Sequence, residues 1–185
     1  ETNRASTFDP YVQAEWRTDT TTLTAGLRHS RVRFNSADRY IATGNPDDSG
    51  AAQFDGFSPV LGIRREITPQ LQAFASVGRG LETPTLNEVA YRTNGLTGFN
   101  PNLGASRSTG VEAGLRGRQA WGSWSATLFD TRSSDEIVVL SNTGGRSTFQ
   151  NAGRTRRHGL ELAGVMQWGR FTITPAYTWM DAVYR

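Results

Sequence analysis

Residues 111–129 read VEAGLRGRQAWGSWSATLF, and the two halves of this stretch carry the pattern that decides the fold. Val111, Ala113 and Leu115 alternate with Glu112, Gly114 and Arg116. After a short break, Trp124, Ala126 and Leu128 alternate with Ser125, Thr127 and Phe129. Successive side chains of a strand point to opposite sides of a sheet, so each run is a strand with one apolar and one polar face. The break, residues 117–123, suits the turn of a hairpin.

Outward from this hairpin the same period recurs, to a total of about eight strands. Toward the N-terminus, Pro10, Val12, Ala14 and Trp16 oppose Tyr11, Gln13, Glu15 and Arg17. Leu23, Ala25 and Leu27 oppose Thr24, Gly26 and Arg28, and Phe57, Pro59, Leu61 and Ile63 oppose Ser58, Gly62 and Arg64, with Val60 an exception. Leu71, Ala73, Ala75 and Val77 oppose Gln72, Phe74, Ser76 and Gly78. Toward the C-terminus, Leu160, Leu162 and Met166 oppose Gly159, Glu161, Ala163 and Gln167, and Phe171, Ile173, Tyr177 and Trp179 oppose Thr172, Thr174, Ala176 and Thr178.

A soluble sheet covered on one side would alternate in the same way, and the connections separate the two cases. Short ones (18–20, 68–69, 117–123, 168–170) alternate strictly with long ones (35–56, 80–107, 134–154). Outer-membrane barrels have this rhythm of short periplasmic turns and long extracellular loops. Trp16, Trp124, Trp168 and Phe171 flank the short turns at apolar parity, as one aromatic ring at a membrane interface requires, and Tyr177 and Trp179 climb toward the opposite girdle. Two features resist. After Leu27 the apolar parity shifts to Val32 and Phe34, which implies a bulge near Ser30 or a strand rising above the membrane. Pro59 and Pro175 lie within strands, where each removes a ladder donor.

Composition agrees with the barrel. Hydrophobic residues are 36% of the 185, with 20 glycines, five tryptophans and two methionines, which is poor in core-forming side chains for a soluble domain of this length. A barrel needs fewer, because only alternate residues face lipid. No apolar run of about 18 residues exists, so a transmembrane helix is excluded. Glu1 opens no basic-then-apolar leader, so a signal peptide would lie outside this sequence. The absence of Cys excludes disulfides and thiolate metal sites. Net charge is +3, yet the basic residues are scattered, clustering only at Arg64-Arg65 and Arg154, Arg156 and Arg157, so no nucleic-acid partner is expected. Eight strands can close into a small barrel. Against that, the loops are long and the chain stops at Tyr184-Arg185 without a terminal aromatic, which reads as part of a larger wall whose end strands are open edges.

From Ser76 onward the sequence resembles TonB-dependent receptors. Residues 76–88, SVGRGLETPTLNE, are similar to the family's strand-to-loop passage. Asn100-Pro101-Asn102-Leu103 with Ser106 to Gly114 is similar to the entry into the next strand, although Ala105 and Arg107 flank Ser106 where the family has an acidic residue. Asp135-Glu136-Ile137 and residues 150–161, QNAGRTRRHGLE, resemble the following hairpin. The resemblance implies an all-β, antiparallel, up-and-down transmembrane barrel of about 22 strands, plugged by a separate domain. Residues 1–185 would supply about eight of those strands as part of a single β-barrel domain, without the plug domain and the remaining strands. The implied place is the bacterial outer membrane. The implied partners are outer-membrane lipid, the receptor's own plug domain, TonB through that plug, and a small-molecule ligand. That ligand is a scarce solute for import, often a ferric siderophore. The runs at 82–92 and 135–157 look most like the branch linked to pyrroloquinoline quinone uptake, which adds this small cofactor as cargo. A structural or adhesive barrel, or an autotransporter pore, is the competing reading from another class, and a soluble lectin-like sandwich is a third.

Candidate ligand contacts lie in the 80–107 loop: Tyr91, Arg92, Asn94, Phe99 and Asn100 combine amphipathic and hydrogen-bonding side chains suited to a polar planar ligand or a chelate. A solvated loop held by its own packing fits the same residues, and Pro84, Asn87 and Glu88 suit the loop's base. Asp38, Asp47, Asp48 and Asp55 lack calcium-loop spacing, so a solvated acidic loop is the simpler reading and no metal site is assigned. Arg28, Arg64, Glu112, Arg116, Arg157 and Glu161 have lumen-facing parity. The arginines either steer an anion inward or pair with Glu15, Glu112, Glu161 or the plug. On the lipid face an arginine would cost about 2–4 kcal/mol at midplane. No catalytic motif is present, His29 and His158 are remote from each other, and the adjacent Asp135 and Glu136 make a poor acid–base pair, so neither an enzyme nor a cofactor is expected.

Overall fold

The computed structural model describes residues 1–94 and 96–184. Its strands are β1 (Thr2–Phe8), β2 (Tyr11–Arg17), β3 (Thr21–Ala37), β4 (Gly50–Thr68), β5 (Leu71–Glu82), β6 (Ser106–Gln119), β7 (Gly122–Ser134), β8 (Ile137–Thr143), β9 (Arg146–Asn151), β10 (Arg154–Trp168), β11 (Phe171–Ile173) and β12 (Ala176–Tyr184), with one helical turn, α1 (Leu86–Val89), after β5. All but β8 and β9 form a single antiparallel sheet in which β3, β4, β5, β6, β7 and β10 are successive neighbours. β1 and β2 pair with β3 at one side, and β11 and β12 pair with β10 at the other. The β8–β9 hairpin stands apart in the last long loop.

The outermost strands are each one line interrupted at a proline. Phe8↔Arg31 and Tyr11↔Arg28 share one register on β3, and His29 N donates to the Pro10 carbonyl at 3.0 Å between them. Trp168↔Phe171 and Ala163↔Ala176 likewise share one register on β10, with Gly164 N donating to the Pro175 carbonyl at 2.9 Å. Each proline keeps an acceptor in the ladder while lacking a donor. The sheet is therefore the expected set of eight antiparallel lines. β3 and β4 run further than alternation predicted, so the first long loop contracts to residues 38–49.

The register settles the parity shift on β3. Pairing with β4 runs unbroken from Thr21↔Arg65 to Ser36↔Gly50, so there is no bulge at Ser30. Val32, Phe34 and Phe54 face the polar side of the sheet at its long-loop end, where Phe34 and Phe54 join Val89 and Leu103 as the buried hydrophobic cluster. Val32, Ala52, Leu86, Phe99, Ala105, Ile137 and Phe149 pack around them. The strands rise past the apolar band and become the floor under their own loops.

Val60, the other exception, also points to the polar face. It pairs with Gly26 and Gly78 on the two neighbouring strands, and a Cβ at Gly26 would stand 2.9 Å from its Cγ1. Those glycines make room for it. The β4–β5 ladder ends at Val60↔Gly78, one residue before Pro59, which has no N–H to extend it, while β3–β4 and β5–β6 continue upward. The wall splits there, and Leu81 comes against Gly56 across the split.

On the opposite face, Trp16, Leu23, Leu61, Leu115, Leu128, Trp168 and Phe171 are exposed. The four aromatics read as one ring, Trp16, Trp124, Trp168 and Phe171, share this face and lie at the short turns. Trp124 lies over Gly117, its cross-strand partner.

Candidate functional site

The site is built from the two long loops that close over the polar face. After β5 the chain turns through Pro84, which is fully buried, into a capping box. Thr85 N donates to Glu88 Oε2 at 2.6 Å, and Glu88 N donates to Thr85 Oγ1 at 3.4 Å. This satisfies two free donors of the helical turn reciprocally and places Val89, wholly buried, on the Phe34–Phe54 floor. Pro84 and Glu88 therefore fix the loop's base, as expected.

Two asparagines tie this loop to the next. Asn100 N donates to the Val89 carbonyl at 2.8 Å, and its side-chain amide donates to the Phe149 carbonyl at 3.2 Å. Asn151 accepts from Gly104 N at 2.7 Å and donates to the carbonyls of Gly104 and Asp135 at 2.9 and 2.7 Å. Asp135 adopts the left-handed region (φ 58°), which turns the chain from β7 into β8. Beside it, Glu136 accepts a forked pair of bonds from Arg157 at 2.5 and 3.1 Å and a third from Thr155 Oγ1 at 2.9 Å. Arg157 holds the Glu136 carboxyl below its ordinary range, against the opposing effect of partial burial.

Between the loops lies a polar cleft of about 500 Å³, lined by Thr93, Asn94, Ser141, Thr143, Arg146 and Thr148 among others. The Arg146 guanidinium stands over the Tyr91 ring at 5.4 Å from its centroid. Of the five loop residues singled out in the sequence, Asn94 lines this cleft, Tyr91 flanks it through Arg146, and Arg92 is exposed next to both. Phe99 packs against Gly50 and the hydrophobic cluster, and Asn100 is 3% exposed with its amide bonded within the loops. These two side chains pack and bond within the loops, whereas the other three border the cleft. Arg146, Ser141 and Thr148 escaped the sequence reading because the hairpin that carries them has no link to residues 91–94 except through the fold.

The first long loop joins the same assembly: Thr97 Oγ1 donates to Asp48 at 2.6 Å. Asp38 accepts from Tyr40 N and Asp47 accepts from Ser49 N; the Ser49 hydroxyl, with that backbone bond, holds the Asp47 carboxyl below its ordinary range. These aspartates serve their own turns, and Asp55 lies in β4 away from them. No group of three or more His, Asp or Glu converges among the described residues.

All six residues of lumen-facing parity, Arg28, Arg64, Glu112, Arg116, Arg157 and Glu161, share the face opposite the apolar band. Their partners differ from the expected arginine–glutamate ladder. Arg28 pairs with Asp9 at 2.7 Å, Arg64 donates to Thr22 Oγ1 at 3.2 Å, Glu112 accepts from Ser76 Oγ at 2.8 Å, and Arg116 lies 4.4 Å over the Phe74 ring. Glu15 is taken by Arg17, two residues away on its own strand.

Comparison with known proteins agrees with this architecture. The family model described as TonB dependent receptor-like, beta-barrel matches residues 1–185. Among solved structures, the FrpB iron transporter from Neisseria meningitidis (F5-1 variant) superposes with a TM-score of 0.76 at 16% identity, over 98% of this chain and 27% of that one. The siderophore receptor PiuA from Acinetobacter baumannii gives 0.75 at 17% identity, over 97% and 26%. The ferric yersiniabactin uptake receptor FyuA from Yersinia pestis gives 0.73 at 19% identity, over 99% and 28%. The chain thus spans little more than a quarter of the length of these three structures.

Proposed function

The chain belongs to the TonB-dependent receptor β-barrel family, in the bacterial outer membrane, and from that premise we propose that it forms wall and ligand-binding loops of a receptor importing a scarce small solute. A ferric siderophore or a small polar cofactor such as pyrroloquinoline quinone suits the site. The observation that carries this reading is the polar cleft at the long-loop end, bounded by Asn94, Ser141, Arg146 and Thr148 and set above the polar face. A guanidinium backed by a tyrosine ring, with hydroxyls and an amide around it, suits a planar or chelating anion. Tyr91, Arg92, Asn94 and Arg146 are the assigned contacts. Below them, Arg64 and Arg116 have no ion pair among the described residues and keep positive potential along the inner face. Energy would reach the barrel through the receptor's own plug domain and TonB.

The test is uptake by the full-length receptor of a labelled ferric siderophore and, separately, of pyrroloquinoline quinone. Tyr91→Ala with Arg146→Ala is expected to raise the half-saturating concentration at least about fivefold, the equivalent of about 1 kcal/mol. Unchanged uptake in that double variant removes the cleft from the binding site. Uptake of neither solute, with the receptor assembled, removes both cargo assignments.

A further inference from the structure

The face that carries the apolar band changes character within two register steps of its upper edge. One row across β5, β6, β7, β10 and β12 reads Ala75, Ala113, Leu128, Leu160 and Trp179. The next reads Val77, Val111, Asp130, His158 and Asp181. Above it come Arg79, Thr109, Arg132, Arg156 and Val183, and then, on β5 to β10, Leu81, Arg107, Ser134 and Arg154. Rows on one face are about 7 Å apart at two residues per step, so five guanidinium groups stand directly above the lipid-facing side chains. They surround a cleft of about 540 Å³.

This cluster is under-compensated. Asp130 receives both Arg132, at 3.1 Å, and Arg156. Arg79, Arg107 and Arg154 make no ion pair or side-chain hydrogen bond among the described residues, and Arg132 lies directly opposite Arg156, an arrangement of like charges that destabilises a sheet. All twenty basic residues of the chain are arginine, the side chain whose planar fork engages two phosphate oxygens at once.

We infer that this surface holds an anionic lipid of the outer leaflet, its phosphate monoester gripped by Arg79, Arg107 and Arg154 and its acyl chains lying on the Val77 and Val111 rows. Charge complementarity and continuity with the apolar band select that occupant. A lipid is the one ligand that presents phosphate and hydrocarbon in this vertical order at a barrel's outer wall. The inference rests on the barrel's orientation in the membrane and not on the imported solute.

The test uses the full-length receptor, delipidated in neutral detergent, with bound lipid counted by native mass spectrometry. The probes are bisphosphorylated lipid A, its dephosphorylated form, and inorganic phosphate as competitor. The receptor is expected to retain the bisphosphorylated lipid and not the dephosphorylated one. Arg79→Gln, Arg107→Gln and Arg154→Gln together are expected to weaken retention at least tenfold. A charge-matched variant at the short-turn end, Arg65→Gln, Arg118→Gln and Arg170→Gln, is expected to match the wild type. Equal retention of the dephosphorylated lipid, unchanged retention in the first triple variant, or an equal loss in the second overturns the assignment. Displacement by an equimolar amount of inorganic phosphate makes this a free-anion site and overturns it as well. Should the first variant fail to migrate as a folded barrel, the lipid comparison on wild-type protein decides alone. Solute uptake measured in parallel separates failure here from failure of the import reading.

Discussion

The two ends of this wall obey opposite rules. Toward the short turns, the outer face is Leu, Val, Ala and Trp, and the inner face is mainly charged or small with Phe74 beneath Arg116: Leu115 beside Arg116, Leu61 beside Gly62, Leu162 beside Glu161. Toward the long loops, the outer face is arginine, at positions 79, 107, 132, 154 and 156, and the inner face is Phe34, Phe54 and Val32 under buried Val89 and Leu103. The β3–β4 register does not change between the two regions, since these strands pair without a break through both. What changes is the medium on each side. The outer surface below has the apolar character that lipid requires, and above it has the charge that suits water or headgroups. The inner surface is polar below and covered by folded loops above. Parity in a barrel strand therefore reports the medium at each height, and a parity reversal marks where loops dock.

The largest expected effect tests the upper region. Phe34→Ala opens the floor beneath the loops and should cost about 3–5 kcal/mol of local stability, read as faster proteolytic cleavage within residues 83–105 of the assembled receptor. Unaltered cleavage would mean that the inner face carries no core at that height. The lower region is next. Leu115→Arg puts a guanidinium on the lipid face at about 2–4 kcal/mol and should sharply lower the fraction of receptor that runs as a heat-modifiable barrel. Arg116→Leu, one residue away, loses only the stacking on Phe74, about 0.5–1 kcal/mol, and should assemble normally. Equal behaviour of the two variants would erase the distinction between faces.

The lower region was legible from the sequence because alternation is a local property. Leu115 and Arg116 need no knowledge of distant residues to be sorted, and the turn rhythm with Trp16, Trp124, Trp168 and Phe171 supplied the orientation. The upper region was not, since Val32 and Phe34 look misplaced until Val89 and Leu103, more than fifty residues later in the chain, are seen above them. Val60 is explained only by Gly26 and Gly78 on the adjacent strands. One loop feature does carry a local signal: Thr85-Leu86-Asn87-Glu88 has the spacing of a capping box. The loop asparagines could be picked out by type but not by role. Asn100 has the residue type of a solute contact, and its amide bonds to Phe149, on a hairpin whose short strands carry no clear alternation.

The last effect, smaller than those of Phe34→Ala and Leu115→Arg, concerns the joint between the two regions. Glu136 sits where β7 leaves the wall, with its side chain 16% exposed, and Arg157 grips it from the inner face of β10. The bonds from Arg157 and Thr155 hold its carboxyl below the ordinary value of 4.5 in the folded protein. A group depressed in this way contributes stability that is fully present above its unfolded pKa and is lost as pH falls through the folded one. The β8–β9 hairpin should therefore stay protected from hydrogen exchange at neutral pH and loosen only below about pH 4.5. Glu136→Gln keeps the shape but removes the charge, and a bond to a charged group contributes about 1.5–3 kcal/mol. The lower end applies because the Arg157 side chain is 37% exposed and partly screened. The variant's hairpin should exchange faster at pH 7 and show no further change in acid. If the wild-type hairpin ignores acid, or the variant retains the wild-type profile, Arg157 belongs to the solvated lower wall and the boundary between the two regions moves up by one register step.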